Sequence, residues 1–147
     1  MFQRILKTDP STTTFIIRLM VSVVFLSEGI QKFLFPAVRG AGRFEKIGLP
    51  AADFLSSFVG FFEILCGLFI LLGLFTRLAS IPLITIMLTA IATTKMKILS
   101  IDGFWQMMHS SRTDWAMLLG SIFLFIKGGG LWSIDKWLTR QNHRETE

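Results

Sequence analysis

The stretch FLSSFVGFFEILCGLFILLGLFTRLASIPLITIMLTAIATT, residues 54–94, decides the fold of this chain. It contains two apolar blocks, residues 54–75 and 78–94, each close to the roughly 20 residues with which an α-helix crosses the hydrocarbon core of a bilayer. Only Thr76 and Arg77 separate the blocks, so the two helices must run antiparallel. The stretch therefore predicts a membrane-spanning helical hairpin.

Two further apolar blocks flank this hairpin. All four blocks are too long and too continuously apolar for barrel strands, and lipid does not tolerate an open sheet edge. We therefore predict an all-α fold, an integral membrane four-helix bundle, as a single domain over residues 1–147. The expected elements are helices at about 14–35, 54–75, 78–94 and 115–131, with an interfacial tail at 131–138.

The composition supports a membrane protein and excludes several other classes. Hydrophobic residues make up 52% of the 147 residues and charged residues only 17%, too few to coat a soluble domain. The net charge of +5 comes from basic residues beside the apolar blocks, where lipid headgroups lie, so no nucleic-acid partner is expected. The single cysteine, Cys66, excludes an internal disulfide, and two histidines are too few for a metal site.

The amino terminus predicts a retained first helix. Basic residues precede its apolar run, but Arg18 and Glu28 interrupt that run and no small-residue cleavage site follows it. Four helices would place both termini on one face of the membrane. Lysine and arginine divide almost equally between the two faces, with a slight excess on the face of the termini, which we therefore expect to be cytoplasmic.

Charged residues inside the first and second blocks are the most informative feature for function. Arg18, Glu28 and Lys32 share one face of the first helix, and Glu28 precedes Lys32 by four residues, the favourable order for a helical ion pair. A charge at the bilayer centre costs about 2.5–3.5 kcal/mol on insertion scales. We therefore expect these side chains to face the bundle interior.

Glu63 is the only charged residue of the second block. Gly60 and Gly67 flank it at helical spacing, and small residues there allow another helix to approach closely. Counting from the shared face at 1.5 Å per residue places Glu28 roughly 10 Å and Glu63 roughly 13 Å deep. The two carboxylates are thus expected at similar depth.

These charges define two candidate clusters. The first is a ligand-binding pocket in which Glu63 would accept hydrogen bonds and Lys32 and Arg112 would donate them; its members are Glu28, Lys32, Glu63, Arg112 and Asp114. The second is a polar cluster at the other face, formed by Arg18, Arg77, Lys127 and Asp135. Two interpretations stay open: a polar network that fixes helix packing, or a pocket that binds a headgroup or quinone-like ring or moves protons.

Four segments together resemble the DoxX family of small four-helix bacterial membrane proteins. They are RLMVSVVFLSEGIQKF (18–33), GLP (48–50), FFEILCGLFILLGLFTRLAS (61–80) and GGGLWSID (128–135). The matching positions are Arg18, Gly29, Lys32, Glu63, Gly67, Gly73, Thr76, Arg77, Ser133 and Asp135. The chain departs from the family pattern in two places: Gly128-Gly129-Gly130 replaces Gly-Pro-Gly, and Asp114 replaces a glutamate.

The resemblance implies a multi-pass protein of the bacterial cytoplasmic (inner) membrane. Some relatives in the family are subunits associated with quinone reduction or terminal oxidases, and others act in redox stress responses. The chain is therefore expected to be an accessory or ligand-binding subunit of such an assembly, with membrane lipids, redox subunits and quinone as partners. Quinone or lipid, rather than a covalently bound cofactor, is the expected ligand.

Two other functions stay open. A small proton-coupled carrier would use Glu63 as its protonatable group and would work as a homo-oligomer. A purely structural membrane organiser would need no ligand. An independent enzyme is not favoured, because the sequence offers no recognisable nucleophile, metal or cofactor site.

Overall fold

A computed structural model describes residues 8–144 of the chain, and the side chains of residues 8–140. Every regular element in residues 8–144 is helical, which confirms the predicted all-α class. The elements are α1 (Thr14–Leu34), α2 (Ala41–Lys46), α3 (Ala52–Leu72), α4 (Thr76–Ala90), a π-helical turn (Ile91–Lys95), α5 (Met96–Asp102), α6 (Phe104–Ser110), α7 (Arg112–Lys127) and α8 (Ile134–Arg144).

Three helical segments of the described chain are long and apolar enough to cross a membrane. They are Thr14–Leu34, Ala52–Leu72 and the continuous run Thr76–Asp102. Their outward faces carry exposed large apolar side chains such as Ile16, Phe58 and Leu88, as lipid-facing surfaces do. The protein is therefore a helical membrane bundle.

The fourth predicted helix, α7, has 16 residues and packs mainly against α4 and also against α1. A straight helix of 16 residues spans about 24 Å, somewhat less than a hydrocarbon core of about 30 Å. Its packing matches the expected bundle, and its complete crossing of the membrane stays a prediction.

The third helix is longer than the sequence analysis predicted. We expected it to end at about Thr94, but helix continues to Asp102 and is followed by α6. The prediction was wrong because Lys95 was treated as the end of the apolar block. Its ammonium lies 3.1 Å from the carboxylate of Asp114 in α7, which neutralises the charge and lets the helix continue. The helix ends at Gly103, which has a positive φ of 84°.

The hairpin between α3 and α4 turns over the three residues 73–75. Gly73 (φ 68°) and Phe75 (φ 47°) both adopt the left-handed conformation, which ends α3 and starts α4 within this short link. Glycine suits position 73 for a second reason, since a Cβ there would lie 2.7 Å from Cζ of Arg18. The predicted antiparallel pairing of these helices is present.

The core lies along the bundle axis and receives side chains from each long helix. Its fully buried members are Val21, Phe25, Ile70, Leu83 and Leu124.

The crossing of α1 and α3 is close because glycines line it. A Cβ added at Gly29 would lie 2.9 Å from the carbonyl oxygen of Gly60 and 3.0 Å from Cβ of Glu63. A Cβ added at Gly67 would lie 3.3 Å from the backbone nitrogen of Leu26. As the spacing of Gly60 and Gly67 predicted, small residues let the backbones approach at the level of Glu63.

Candidate functional site

The centre of the site is an ion pair between α1 and α3. Nζ of Lys32 lies 2.6 Å from Oε2 of Glu63, and the two side chains are 10% and 4% exposed. A buried carboxylate is stable only with a counter-charge and hydrogen bonds, and Lys32 provides both. The sequence analysis expected a cation from a neighbouring helix within bonding distance of Glu63, and Lys32 is that cation.

The expected ion pair between the Glu28 carboxylate and Lys32 is wrong. The Lys32 ammonium turns toward Glu63 and contacts Glu28 only at its backbone carbonyl, at 3.4 Å. The reason is burial: Glu63 is almost fully enclosed, whereas Glu28 is half-buried and needs a counter-charge less. Glu28 therefore lies beside the pair without belonging to it.

The pair has unused hydrogen-bonding capacity. An ammonium group has three N–H donors, and those of Lys32 have two acceptors among the described residues, Glu63 and the Glu28 carbonyl. Of the two carboxylate oxygens of Glu63, only Oε2 accepts a hydrogen bond from a described residue. One donor on Lys32 and Oε1 of Glu63 are therefore available to another molecule.

A second ion pair lies between the third helical segment and α7. Nζ of Lys95 lies 3.1 Å from Oδ2 of Asp114 and donates to the carbonyl of Ser110 at 2.8 Å. Lys95 is the last residue of the π-helical turn, a form found mostly as single turns and often at functional sites. The sequence analysis did not assign Lys95 to the site, although its position at the end of an uncharged block was a usable signal.

Two of the five predicted pocket residues therefore have other partners. Asp114 pairs with Lys95, and Arg112 is exposed and contacts the ring of His109 at 3.2 Å. Both lie at the same end of the bundle as Lys32, because Lys97 in α5 donates to the carbonyl of Ile47, which follows α2 in the connection between α1 and α3. The structure thus brings together Lys32 and Glu63, with Glu28 alongside, and gives Arg112 and Asp114 other partners.

Trp115 is a polar feature that the sequence analysis missed. It follows Asp114 directly, and its indole Nε1 is buried without a hydrogen-bond acceptor among the described residues. A buried N–H without a partner is rare and costly. The available signal was a tryptophan next to a carboxylate at the start of an apolar helix.

The second predicted cluster is built around Arg18. Arg18 is 2% exposed, and its guanidinium donates to the carbonyls of Ile70 (2.9 Å) and Leu71 (2.6 Å) at the end of α3. It also donates to the carbonyls of Gly129 (3.0 Å) and Trp132 in the link between α7 and α8. Arg18 therefore faces the interior, as predicted, and joins three separate parts of the chain.

Asp135 completes this structural cluster. Its carboxylate accepts from the backbone N–H groups of Phe75 (2.7 Å) and Thr76 (3.0 Å), and so caps the amino terminus of α4. Burial raises the pKa of Asp135, and the two backbone donors and the nearby Arg18 offset the rise only in part. The network fixes the hairpin against α8.

The remaining members of this cluster lie at its edge. Arg77 donates to the carbonyl of Ile126 at 2.7 Å, and Lys127 lies 2.6 Å from the carboxylate of Asp9. All four predicted residues thus lie at the end of the bundle opposite Lys32. Their hydrogen bonds connect chain segments.

No group of three or more histidine, cysteine, aspartate or glutamate side chains that could hold a metal ion occurs in the part of the chain that the structure describes. Among the described residues, the charged groups that pair inside the bundle are those of the two ion pairs and the Arg18 network.

Comparisons with known proteins agree with this architecture. The family model for DoxX matches residues 13–96. Over 144 residues the chain is 48% identical to the uncharacterized membrane protein Rv3486 of Mycobacterium tuberculosis, covering 94% of this chain and 88% of that protein. Over 126 residues it is 26% identical to a Bacillus subtilis protein named "Putative oxidoreductase CatD", covering 85% and 86% of the two chains. No solved structure matches.

The matched segment contains the Lys32–Glu63 pair, the glycine-lined crossing and the α3–α4 hairpin. These features, together with the high identity to a membrane protein of similar length, show that the chain belongs to the DoxX family.

Proposed function

We propose that the protein is a ligand-binding subunit of a quinone-linked redox assembly in the bacterial inner membrane, with both termini in the cytoplasm. The Lys32–Glu63 pair is the contact for the quinone ring. The observation that carries this proposal is the placement of an incompletely satisfied ion pair inside an apolar bundle.

The chemistry of the pair fits a quinone. A quinone ring carries two carbonyl oxygens, which accept hydrogen bonds, and an apolar body that dissolves in lipid. The third N–H of Lys32 supplies a donor, and Oε1 of Glu63 supplies an acceptor for the hydroxyl of the reduced form. The lipid-facing sides of α1 and α3 would hold the isoprenoid tail.

The name of one relative supports a redox setting. A protein 26% identical to this chain carries the word oxidoreductase in its name. In this chain the pair can bind and orient a ring, whereas electrons would have to come from a partner subunit. The proposed role is therefore binding within an assembly.

Copurification tests the proposal. The tagged full chain is expressed in a bacterium that encodes it and is extracted from the membranes with a mild detergent. Bound quinones and proteins are then identified by mass spectrometry. We expect quinone together with at least one redox subunit, and loss of the quinone in Glu63→Gln. Ser57→Ala, on the exposed face of the same helix, is the matched control and should retain it. Lipid alone, with no quinone and no redox protein, would contradict the proposal.

A proton-coupled carrier makes a different prediction. Reconstituted into liposomes, a carrier would produce pH-dependent flux that disappears in Glu63→Gln. The binding subunit that we propose produces none.

A further inference from the structure

The face of α8 that borders the end of α3 forms an open groove of about 380 Å³. Ser133, Lys136, Trp137 and Arg140 line one side of it, at the i, i+3, i+4, i+7 spacing that places residues on one helical face. Leu72, at the carboxyl end of α3, forms part of the other side. The volume lies within the roughly 300–1,000 Å³ of small-molecule sites.

We propose that this groove binds the headgroup phosphate of an anionic phospholipid. The site is distinct from the Lys32–Glu63 pair, which lies at the opposite end of the bundle, and does not depend on the proposed quinone function.

Charge is the first argument. Lys136 and Arg140 are four residues apart and both line the groove. The ion pairs of the described residues involve neither of them. Two adjacent cations without a carboxylate between them match a phosphodiester, which arginine and lysine bind through charge-assisted hydrogen bonds.

The apolar part of the groove is the second argument. Trp132 and Trp137 are 66% and 57% exposed, and tryptophan concentrates at the level of lipid headgroups. Leu72 and Leu131 continue the groove toward the membrane-spanning surface, where an acyl chain would lie. A free phosphate ion would use the cations but would gain nothing from these side chains.

The walls of the groove are fixed before any lipid binds. Arg18 holds the carbonyl of Trp132, and the Ser133 hydroxyl donates to the carbonyl of Gly130 at 2.6 Å. The carboxylate of Asp135 anchors the start of α8 to the hairpin. A preorganised groove loses less conformational entropy on binding.

Native mass spectrometry of the purified full chain, titrated with dioleoyl-phosphatidylglycerol, tests the proposal. Each basic residue near an anionic lipid contributes about a fivefold gain in affinity, so Lys136→Gln with Arg140→Gln should bind about 30-fold more weakly. The charge-preserving pair Lys136→Arg with Arg140→Lys should bind within a few fold of the wild type. Arg39→Gln with Lys46→Gln removes two exposed cations at the other end and should leave the affinity unchanged.

Equal affinity of the wild type and the Lys136→Gln/Arg140→Gln variant would overturn the proposal. So would equal binding of zwitterionic dioleoyl-phosphatidylcholine, or displacement of the lipid by millimolar inorganic phosphate. If the double variant does not fold, each single glutamine substitution should weaken binding about fivefold, and wild-type affinity in both would refute the site. A dimer that dissociates in the variants while lipid binding is unchanged would assign the groove to a second copy of the chain instead.

Discussion

At the scale of single residues, the two buried cations have different roles. Arg18 donates four hydrogen bonds to backbone carbonyls, two at the end of α3 and two in the α7–α8 link, so its contribution is to the fold. Lys32 donates to the carboxylate of Glu63 in α3 and to the carbonyl of Glu28 in its own helix, and one of its three N–H donors has no partner among the described residues. The partners differ: those of Arg18 are backbone carbonyls that connect chain segments, whereas that of Lys32 is a carboxylate whose other oxygen has no partner among the described residues. This difference separates a structural residue from a candidate binding residue.

Arg18→Lys should destabilise the protein strongly. An ammonium cannot reproduce the planar fork that reaches α3 and the α7–α8 link together, and hydrogen bonds to charged groups contribute about 1.5–3 kcal/mol each, so we expect a loss of about 2–4 kcal/mol. Urea unfolding in mixed micelles measures it. Arg43→Lys, at an exposed position, is the control and should change the free energy of unfolding by less than about 0.5 kcal/mol. A loss for Arg18→Lys as small as that of the control would contradict the structural role.

Lys32 and Glu63 should be energetically coupled. Removal of either charge leaves the other buried without a partner, whereas removal of both does not, so a double-mutant cycle with Lys32→Gln and Glu63→Gln should give a coupling energy of about 1–3 kcal/mol. The same unfolding assay applies. Glu28→Gln should cost less than Lys32→Gln, because Lys32 pairs with Glu63 and not with the Glu28 side chain. Additive losses at Lys32 and Glu63 would show that the pair contributes no interaction of its own.

At the scale of the helical elements, the sequence predicted the hairpin and the close helix crossing but not the full length of the third helix. Hydrophobic blocks and their separators predicted the hairpin, and Gly60 and Gly67 predicted the close crossing, because backbone approach depends on residue size alone. The continuation of the third helix to Asp102 could not be predicted, since it depends on a long-range partner for Lys95. For the same reason the sequence paired Lys32 with Glu28, its neighbour along the helix, and did not predict that Asp114 pairs with Lys95.

Gly29→Ala should widen the crossing of α1 and α3. The added Cβ would lie 2.8 Å from Cγ1 of Ile64 and 2.9 Å from the carbonyl of Gly60, so a backbone must move. Such overpacking typically costs about 1–3 kcal/mol, and we expect a loss in that range. Thermal melting in detergent measures the change. Ser57→Ala, exposed on α3, should melt as the wild type does, and wild-type melting of Gly29→Ala would show that the crossing tolerates a methyl group.

At the scale of the whole molecule, the two ends of the bundle differ in composition. One end has the Arg18–Asp135 network and the α8 groove, and the other has the Lys32–Glu63 and Lys95–Asp114 pairs. This division requires α7 to cross the membrane and return the chain to the side of α1's start. Cysteine labelling in a Cys66→Ala background tests it: Thr12→Cys and Arg140→Cys should react from one side of the membrane and Gln106→Cys from the other. Reaction of Gln106→Cys and Arg140→Cys from the same side would refute the topology.

The measurement that tests the central claim most directly is equilibrium binding of a short-chain quinone, decylubiquinone, to the purified protein in lipid nanodiscs. The wild type should bind saturably, and Glu63→Gln should bind at least about tenfold more weakly, a loss of about 1.4 kcal/mol that one charge-assisted hydrogen bond accounts for. Lys32→Arg keeps the charge and should retain most of the affinity, which separates a loss of binding from a loss of folding. Ser57→Ala should bind quinone as the wild type does. Absence of saturable binding to the wild type, or equal affinity in Glu63→Gln, would contradict the account.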